Sequence, residues 1–182
     1  MRLRTPNAES NRRNFHHTKP KHYFVLTLHR PANVDQSKKL RLLLNEIVNN
    51  TQNLPVVFPL HPRTAKMFAD LDFSNSNLNI IEPMSYLEFN YLVKHAKAVI
   101  TDSGGITEET TVMGIPCLTL RDNTERPETI DIGTNVLVGT DPEHIKPVLE
   151  KLFSGDWKKG AIPEKWDGKT AERIISILSN QL

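Results

Sequence analysis

The stretch from Lys97 to Thr110 reads KAVITDSGGITEET. An apolar run leads into Ser-Gly-Gly and then into residues that favour a helix, which predicts a strand, a tight turn and a helix start. Two glycines, Gly104 and Gly105, let the backbone pass close to a bulky group. The unpaired N–H groups and the positive dipole end of the helix favour a bound anion such as phosphate. The stretch therefore predicts an anion-binding turn.

The same turn has a simpler interpretation. Ser103 could cap the helix, the glycines could serve only as a connection, and Glu108 and Glu109 could complement the helix dipole. The G-x-G-x-x-G pattern of dinucleotide-binding proteins is absent, and no P-loop lysine follows. The turn alone leaves both interpretations open, so the neighbouring segments must decide between them.

Size and composition predict one globular domain. The chain has 182 residues, of which 38% are hydrophobic and 24% are charged, and these values are ordinary for a protein with one core. The first 21 residues carry a charge of +5 and the whole chain carries +2, so the rest carries −3. A body of that charge offers no broad basic face, so we expect no nucleic-acid partner. We assign residues 1–20 to a basic N-terminal segment or linker remnant and residues 21–182 to the domain.

Cysteine content and hydropathy bear on the location of the protein. Cys117 is the single cysteine and begins an apolar run, so no intrachain disulfide can form and a reducing, cytoplasmic location is expected. No apolar stretch approaches the length needed to cross a bilayer, and the Arg-rich start lacks the apolar core of a secretory signal. We therefore expect no membrane partner. A transit peptide stays possible for residues 2–21.

From Tyr23 onward, short apolar runs alternate with stretches of helical periodicity. Strands are predicted at Tyr23–Leu28, Pro55–Leu60, Leu78–Ile81, Ala98–Thr101, Pro116–Leu120 and Asn135–Val138. Helices are predicted at Gln36–Asn50, Pro62–Asp70, Ser85–Ala96, Gly105–Met113, Pro142–Phe153 and Thr170–Leu182. Buried strands that alternate with helices form right-handed βαβ units. The predicted fold class is α/β, a single doubly wound Rossmann-like domain with a parallel sheet.

Polar residues collect where the predicted strands end. Ligands bind at the carboxyl ends of such strands, and the four loops there are LHRPAN after the first strand, LHPR after the second, DSGG after the fourth and RDNTERPE after the fifth. Judged singly, each histidine could be an ordinary buried histidine, and each arginine could form a minor surface ion pair. Together these donors, with a glutamate one turn into the helix, fit a nucleotide diphosphate and its ribose diol.

Phe89 is a further candidate residue. At about 100° per residue it falls off the helical stripe of Leu87 and Tyr91. It could stack on a base, or it could make an ordinary packing contact.

At these residues the chain resembles the C-terminal half of the non-hydrolysing UDP-N-acetylglucosamine 2-epimerases. The segments TDSGGITEE (Thr101–Glu109) and RDNTERPE (Arg121–Glu128) are highly specific for that family. LHRP, which begins at Leu28, and LHPR, which begins at Leu60, match two further motifs. The likeness covers nearly the whole chain, in the motif order of the family.

The resemblance implies the C-terminal half of a GT-B fold, with a UDP-sugar in the cleft between two domains. In that family, the reaction eliminates UDP from the sugar, which leaves a glycal. UDP is then added back, and the configuration at the C2 carbon of the sugar is inverted. The residues implied by motif are Ser103, Gly104 and Gly105 for the diphosphate, Glu109 for the ribose hydroxyls, Phe89 near uracil, Arg30, His61 and Arg126 in the UDP site, and His29 as the catalytic-region histidine. No metal-binding cluster is visible and arginines could supply the positive charge, so we expect neither a metal nor a cofactor.

Two departures from the family limit the expected activity. The acid/base carboxylates of the family come from its N-terminal half, whereas only about twenty residues precede the first strand here. Ala32 also stands where the family usually has glutamate. We therefore expect the chain to bind UDP-type ligands without epimerising them alone, and to associate with a separate N-terminal half or a second copy through its last helix. A GT-B glycosyltransferase donor domain and a non-catalytic sugar-nucleotide-binding module are the alternatives.

Overall fold

One parallel sheet of six strands organises the molecule. The computed structural model describes residues 19–60, 62–69, 71 and 73–180. The strands are β1 (Phe24–Thr27), β2 (Val56–Pro59), β3 (Leu78–Ile81), β4 (Ala98–Thr101), β5 (Cys117–Thr119) and β6 (Asn135–Leu137), in the sheet order β3-β2-β1-β4-β5-β6. Every neighbouring pair is parallel, as predicted. Each predicted strand is confirmed to within two residues at either end.

The helices connect these strands. They are α1 (Pro31–Val34), α2 (Ser37–Asn50), α3 (Pro62–Ala69), α4 (Tyr86–His95), α5 (Gly104–Met113), α6 (Pro127–Asp131), α7 (Ile145–Ser154) and α8 (Thr170–Ser179), and a 3-10 turn (Pro142–His144) precedes α7. The sequence predicted loops where α1 and α6 lie. Each is about one turn long and begins at a proline, and such a short segment cannot show a periodic pattern.

Helices cover both faces of the sheet. Leu40 and Ile47 of α2 and Leu149 of α7 pack with the core on one face. Leu92 and Val93 of α4 pack with the core on the other face, where residues of α5 join them. This arrangement confirms the doubly wound α/β fold.

An irregular segment after α7 lies across the start of β6. Trp157 Nε1 donates to the carbonyl oxygen of Thr134 at 3.0 Å, and the Ala161 amide donates to that of Ile132 at 2.7 Å. Gly160 has a φ of +62°, and a Cβ built on it would lie 2.8 Å from the carbonyl carbon of Gly133. Glycine is therefore required where the two backbones meet.

Residues 1–18 lie outside the described part, so the division of the chain at residue 20 stays a prediction. Among the described residues, no helix combines the length and the apolar character that crossing a membrane requires.

Cys117 is buried in β5 as expected, and burial raises the pKa of its thiol to about 12. This thiol is therefore part of the core and unreactive.

Candidate functional site

The Ser-Gly-Gly turn joins the end of β4 to the start of α5. Ser103 precedes the helix in an extended backbone conformation, and its amide donates to Thr101 Oγ1 at 3.0 Å. Thr107 Oγ1 donates to the carbonyl oxygen of Gly104 at 2.6 Å. These two bonds fix the backbone on either side of the turn. The result is an ordered start to a ten-residue helix, which is a favourable place for an anion.

The simpler interpretation of this turn is wrong in two respects. Within the described part of the chain, the Ser103 side chain makes no capping hydrogen bond to the helix. Glu108 and Glu109 lie beyond the first turn, where they contact other side chains. Glu108 pairs with Arg126, and Glu109 is half-buried beside Tyr86. Neither carboxylate therefore serves mainly to complement the helix dipole.

Asp102 lies directly before the turn, and its side chain is fully buried. Its carboxylate accepts hydrogen bonds from the backbone amides of His29 at 3.1 Å and Arg30 at 3.0 Å, and from Asn33 Nδ2 at 3.2 Å. Arg30 Nε also donates to the carbonyl oxygen of Asp102 at 3.0 Å. Because β1 and β4 are neighbours, this one residue holds the loop after β1 against the turn after β4.

Asp102 also pairs with the imidazole of His29, whose Nδ1 lies 2.9 Å from Asp102 Oδ1. Burial acts to raise the pKa of Asp102, but the hydrogen bonds from His29, Arg30 and Asn33 outweigh it and leave the pKa below its ordinary value. The ionised carboxylate favours the tautomer of His29 with a proton on Nδ1. Nε2 is then the ring nitrogen that can accept or return a proton, as acid–base chemistry requires.

Arg121 brings a buried cation to the same turn. Its side chain is 8% exposed, and Nη2 donates to Glu125 Oε1 at 2.8 Å and to Asn123 Oδ1 at 3.3 Å. A Cβ built on Gly104 would lie 3.6 Å from Arg121 Nη1 and 3.6 Å from Glu125 Oε2. The guanidinium and the carboxylate therefore both lie beside the backbone of the turn.

Arg126 contacts α5 from the same loop. Its Nε donates to Glu108 Oε1, and Nη1 donates to the carbonyl oxygen of Glu125 at 3.1 Å. The hydrogen bond and the charge of Glu108 raise the pKa of Arg126. The loop after β5 is thus attached to the helix that begins at the Ser-Gly-Gly turn.

Glu109 lies on α5 and faces the first residue of α4. Burial raises the pKa of Glu109, whereas a hydrogen bond with Tyr86 acts to lower it and the nearby charge of Glu108 raises it further. A half-buried carboxylate at this place can accept hydrogen bonds from paired hydroxyl groups.

Phe89 packs inward from α4 onto the hydrophobic core. Leu87 and Tyr91, by contrast, are both largely accessible to solvent. They define the exposed stripe of α4, and Phe89 lies off that stripe. This orientation explains the off-stripe position of Phe89 by ordinary packing. Its proximity to uracil stays a prediction.

The structure brings most of the predicted site residues to one edge of the sheet. His29 and Arg30 meet the turn at Ser103, Gly104 and Gly105 through Asp102, and Arg126 approaches from the loop after β5. His61 lies outside the described residues. The helix that follows β2, α3, still meets this edge, because Thr64 Oγ1 donates to the carbonyl oxygen of Leu28.

Three side chains at this edge were absent from the predicted site. Asp102, Asn33 and Arg121 are all buried, and each bonds a neighbouring loop or its own loop. A carboxylate placed after a buried strand is a signal that the sequence does carry for Asp102. The partners of Asn33 and the approach of Arg121 to Gly104 depend on strand order, which sequence periodicity does not reveal.

Comparison with known proteins identifies relatives across this region. A family model described as UDP-N-acetylglucosamine 2-epimerase matches residues 1–179. The UDP-N-acetylglucosamine 2-epimerase of Methanocaldococcus jannaschii is 40% identical over 166 residues, which cover 86% of this chain and 44% of the relative. The enzyme of the same name from Methanococcus maripaludis is 41% identical over 170 residues, which cover 88% of this chain and 45% of the relative. The chain thus spans less than half the length of these relatives.

A solved structure shares the fold. The crystal structure of the Methanocaldococcus jannaschii UDP-GlcNAc 2-epimerase in complex with UDP-GlcNAc and UDP matches with a TM-score of 0.77 and 39% identity. The match covers 94% of this chain and 49% of that one. It agrees with the predicted resemblance to one half of a two-domain enzyme. From the family model and these relatives, we conclude that the chain belongs to the UDP-N-acetylglucosamine 2-epimerase family.

Proposed function

We propose that this chain is the UDP-binding, C-terminal half of a UDP-N-acetylglucosamine 2-epimerase, and that the diphosphate binds against the turn at Ser103, Gly104 and Gly105. The observation that carries the proposal is the buried carboxylate of Asp102, which holds His29 and Arg30 against this turn. A helix start, a cation and a titratable imidazole then lie within reach of one ligand. The binding of UDP and UDP-GlcNAc by the Methanocaldococcus jannaschii relative supports this assignment.

Each side chain has a chemical task in this proposal. Elimination of UDP develops negative charge on the leaving diphosphate, which the helix start, Arg30 and Arg126 stabilise. His29 Nε2 acts on the departing UDP or transfers a proton, and Glu109 accepts hydrogen bonds from the ribose hydroxyls. The base that abstracts the C2 proton belongs to the N-terminal half of the family. The 182-residue chain by itself therefore binds the ligand and does not epimerise it.

Calorimetric titration distinguishes the proposed diphosphate contacts of this site from its proposed ribose contacts. Ser103→Ala should weaken the binding of both UDP and inorganic pyrophosphate by about tenfold or more, because a hydrogen bond to a charged group is lost. Glu109→Ala should weaken the binding of UDP but not that of pyrophosphate, because pyrophosphate has no ribose. Glu150→Ala, which removes an exposed carboxylate from α7, should leave both affinities unchanged.

Failure of the parent chain to bind UDP would contradict the proposed site, and so would equal losses of pyrophosphate affinity in the Glu109 and Ser103 variants. The same preparations should show no interconversion of UDP-GlcNAc and UDP-ManNAc. Turnover by the purified chain alone would overturn the assignment of the C2 base to another half.

The last helix supplies the surface for a partner. The last helix, α8, carries four apolar side chains that are each more than half exposed: Ile174, Ile175, Ile177 and Leu178. An exposed apolar surface of this kind is typical of an interaction site. We assign it to the N-terminal half of the enzyme or, when that half is absent, to a second copy of this chain.

We expect sedimentation velocity to show self-association of the purified chain through α8. Replacing Ile175 and Leu178 together by glutamate should abolish it, because charges would then lie in an apolar contact. Ile162→Glu is the control, since Ile162 is equally exposed but lies in the irregular segment before α8. A strictly monomeric parent chain, or equal behaviour of the two variants, would contradict this assignment.

The alternatives differ in what they predict. The family assignment favours an epimerase over a glycosyltransferase donor domain. A non-catalytic sugar-nucleotide-binding module would also bind UDP. Addition of a matching N-terminal half distinguishes these two possibilities, because only an epimerase half then yields the interconverted sugar nucleotides without an acceptor.

A further inference from the structure

The Ser-Gly-Gly turn has a carboxylate beside it that the proposed function does not use. Glu125 Oε2 and Arg121 Nη1 would each lie 3.6 Å from a Cβ built on Gly104. An anion that approaches the backbone at Gly104 therefore meets both groups. One of them attracts it and the other repels it.

Arg121 and Glu125 differ in how firmly they are held. The Arg121 side chain is 8% exposed, whereas that of Glu125 is 64% exposed. A buried guanidinium needs a nearby anion or acceptor, and here Glu125 and Asn123 supply these. An exposed carboxylate loses little when it turns into water, because surface ion pairs are weak. Glu125 is therefore the partner of Arg121 that another anion can replace.

The charges of three arginines act on the Glu125 carboxylate, and one of them, Arg121, contacts it. The hydrogen bond and charge of Arg121, followed by the charges of Arg30 and Arg126, lower the pKa of Glu125. The carboxylate thus occupies a place where three guanidinium groups favour negative charge. A diphosphate carries more negative charge than a carboxylate and can accept two parallel hydrogen bonds from a guanidinium.

We propose that Arg121 is a further diphosphate-binding side chain, and that the carboxylate of Glu125 occupies its guanidinium until the ligand replaces it. This inference rests on the proposed function, because it requires a diphosphate at the turn. Glu125 is an internal competitor in the ligand-free chain. Arg121, buried and held by Asn123, keeps its position for either partner.

Calorimetric titration with UDP and with inorganic pyrophosphate tests this exchange. Glu125→Gln should tighten the binding of both by about two- to fivefold, because the competing charge is removed. Glu128→Gln is the matched control: it removes the same charge a few residues along, and Glu128 has no hydrogen bond to Arg121 among the described contacts. It should tighten the binding of both clearly less than Glu125→Gln does, because Glu128 acts on Arg126 through its charge alone. Arg121→Gln should weaken the binding of both by about tenfold.

The double variant Arg121→Gln with Glu125→Gln isolates the exchange. In that background the gain from Glu125→Gln should be clearly smaller, because the competition for the Arg121 guanidinium is gone and only the direct repulsion of the anion by the carboxylate is relieved. Weaker or unchanged binding by Glu125→Gln, an equal gain from Glu128→Gln, or a gain that persists undiminished without Arg121 would each overturn the inference while the proposed function stands. If neither the parent nor Glu125→Gln binds UDP or pyrophosphate, the proposed function fails and this inference fails with it.

Discussion

Asp102→Ala should lower the free energy of unfolding by about 3 kcal/mol, because the buried donors that it satisfies lose their acceptor. Those donors are the amides of His29 and Arg30 and the side-chain amide of Asn33. Asp102 has no exposed surface, so water cannot easily replace the carboxylate. Urea unfolding followed by tryptophan fluorescence measures the loss.

Asp122→Ala is the control for this substitution. Asp122 also holds two loops together, since it accepts from the Thr140 amide at 2.9 Å, but it is exposed. Water can satisfy the donor that its removal leaves, so we expect a loss below about 1 kcal/mol. Similar losses of unfolding free energy for the two variants would show that burial of the Asp102 carboxylate does not increase its contribution to stability.

Acid should remove the contribution of Asp102. Its pKa in the folded chain lies below the ordinary value, so the folded state favours the ionised form. The stabilisation is complete above the ordinary pKa, near about pH 4, and disappears as the pH falls through the folded-state value. The difference in unfolding free energy between the parent and Asp102→Asn should therefore narrow below about pH 4. A constant difference from neutral to acid pH would contradict this.

Gly133→Ala should lower the free energy of unfolding by about 2–3 kcal/mol through overpacking. A Cβ built there would lie 2.5 Å from Thr111 Oγ1 and 2.6 Å from the carbonyl oxygen of Thr129. Both threonines are buried, so neither α5 nor α6 can move aside cheaply. Because α6 begins at Pro127, within the RDNTERPE segment, this variant should also disturb the end of that segment.

Gly105→Ala is the matched control. Apart from its chain neighbours and the backbone of its own helix, no atom among the described residues lies within 4 Å of a Cβ built on Gly105, and alanine is favoured over glycine within a helix by about 0.8–1 kcal/mol. Its stability should equal or slightly exceed that of the parent in the same urea titration. Equal losses at Gly133 and Gly105 would show that the contact with Thr111 and Thr129 does not limit packing.

Local sequence pattern predicted most of the fold. A period of about two or a continuous apolar run defines a strand and a period of 3.6 defines a helix, and both patterns lie within the element itself. All six strands and the longer helices were therefore predictable. The short helices α1 and α6 were not, because a single turn shows no period. Phe89 was ambiguous for a related reason, since its inward orientation depends on which face of α4 meets the sheet.

By itself, the sequence determined the α/β class, the loops that follow the strands and the Ser-Gly-Gly turn at the start of a helix, because each of these depends on neighbouring residues. Only the tertiary structure decided which side chains meet there. Asp102 binds residues about seventy positions earlier in the chain, and Arg121 reaches Gly104 from the next strand. Such contacts follow from the order of strands in the sheet. Burial then makes the loss of a partner costly, because a charge removed from water must find its partners within the protein.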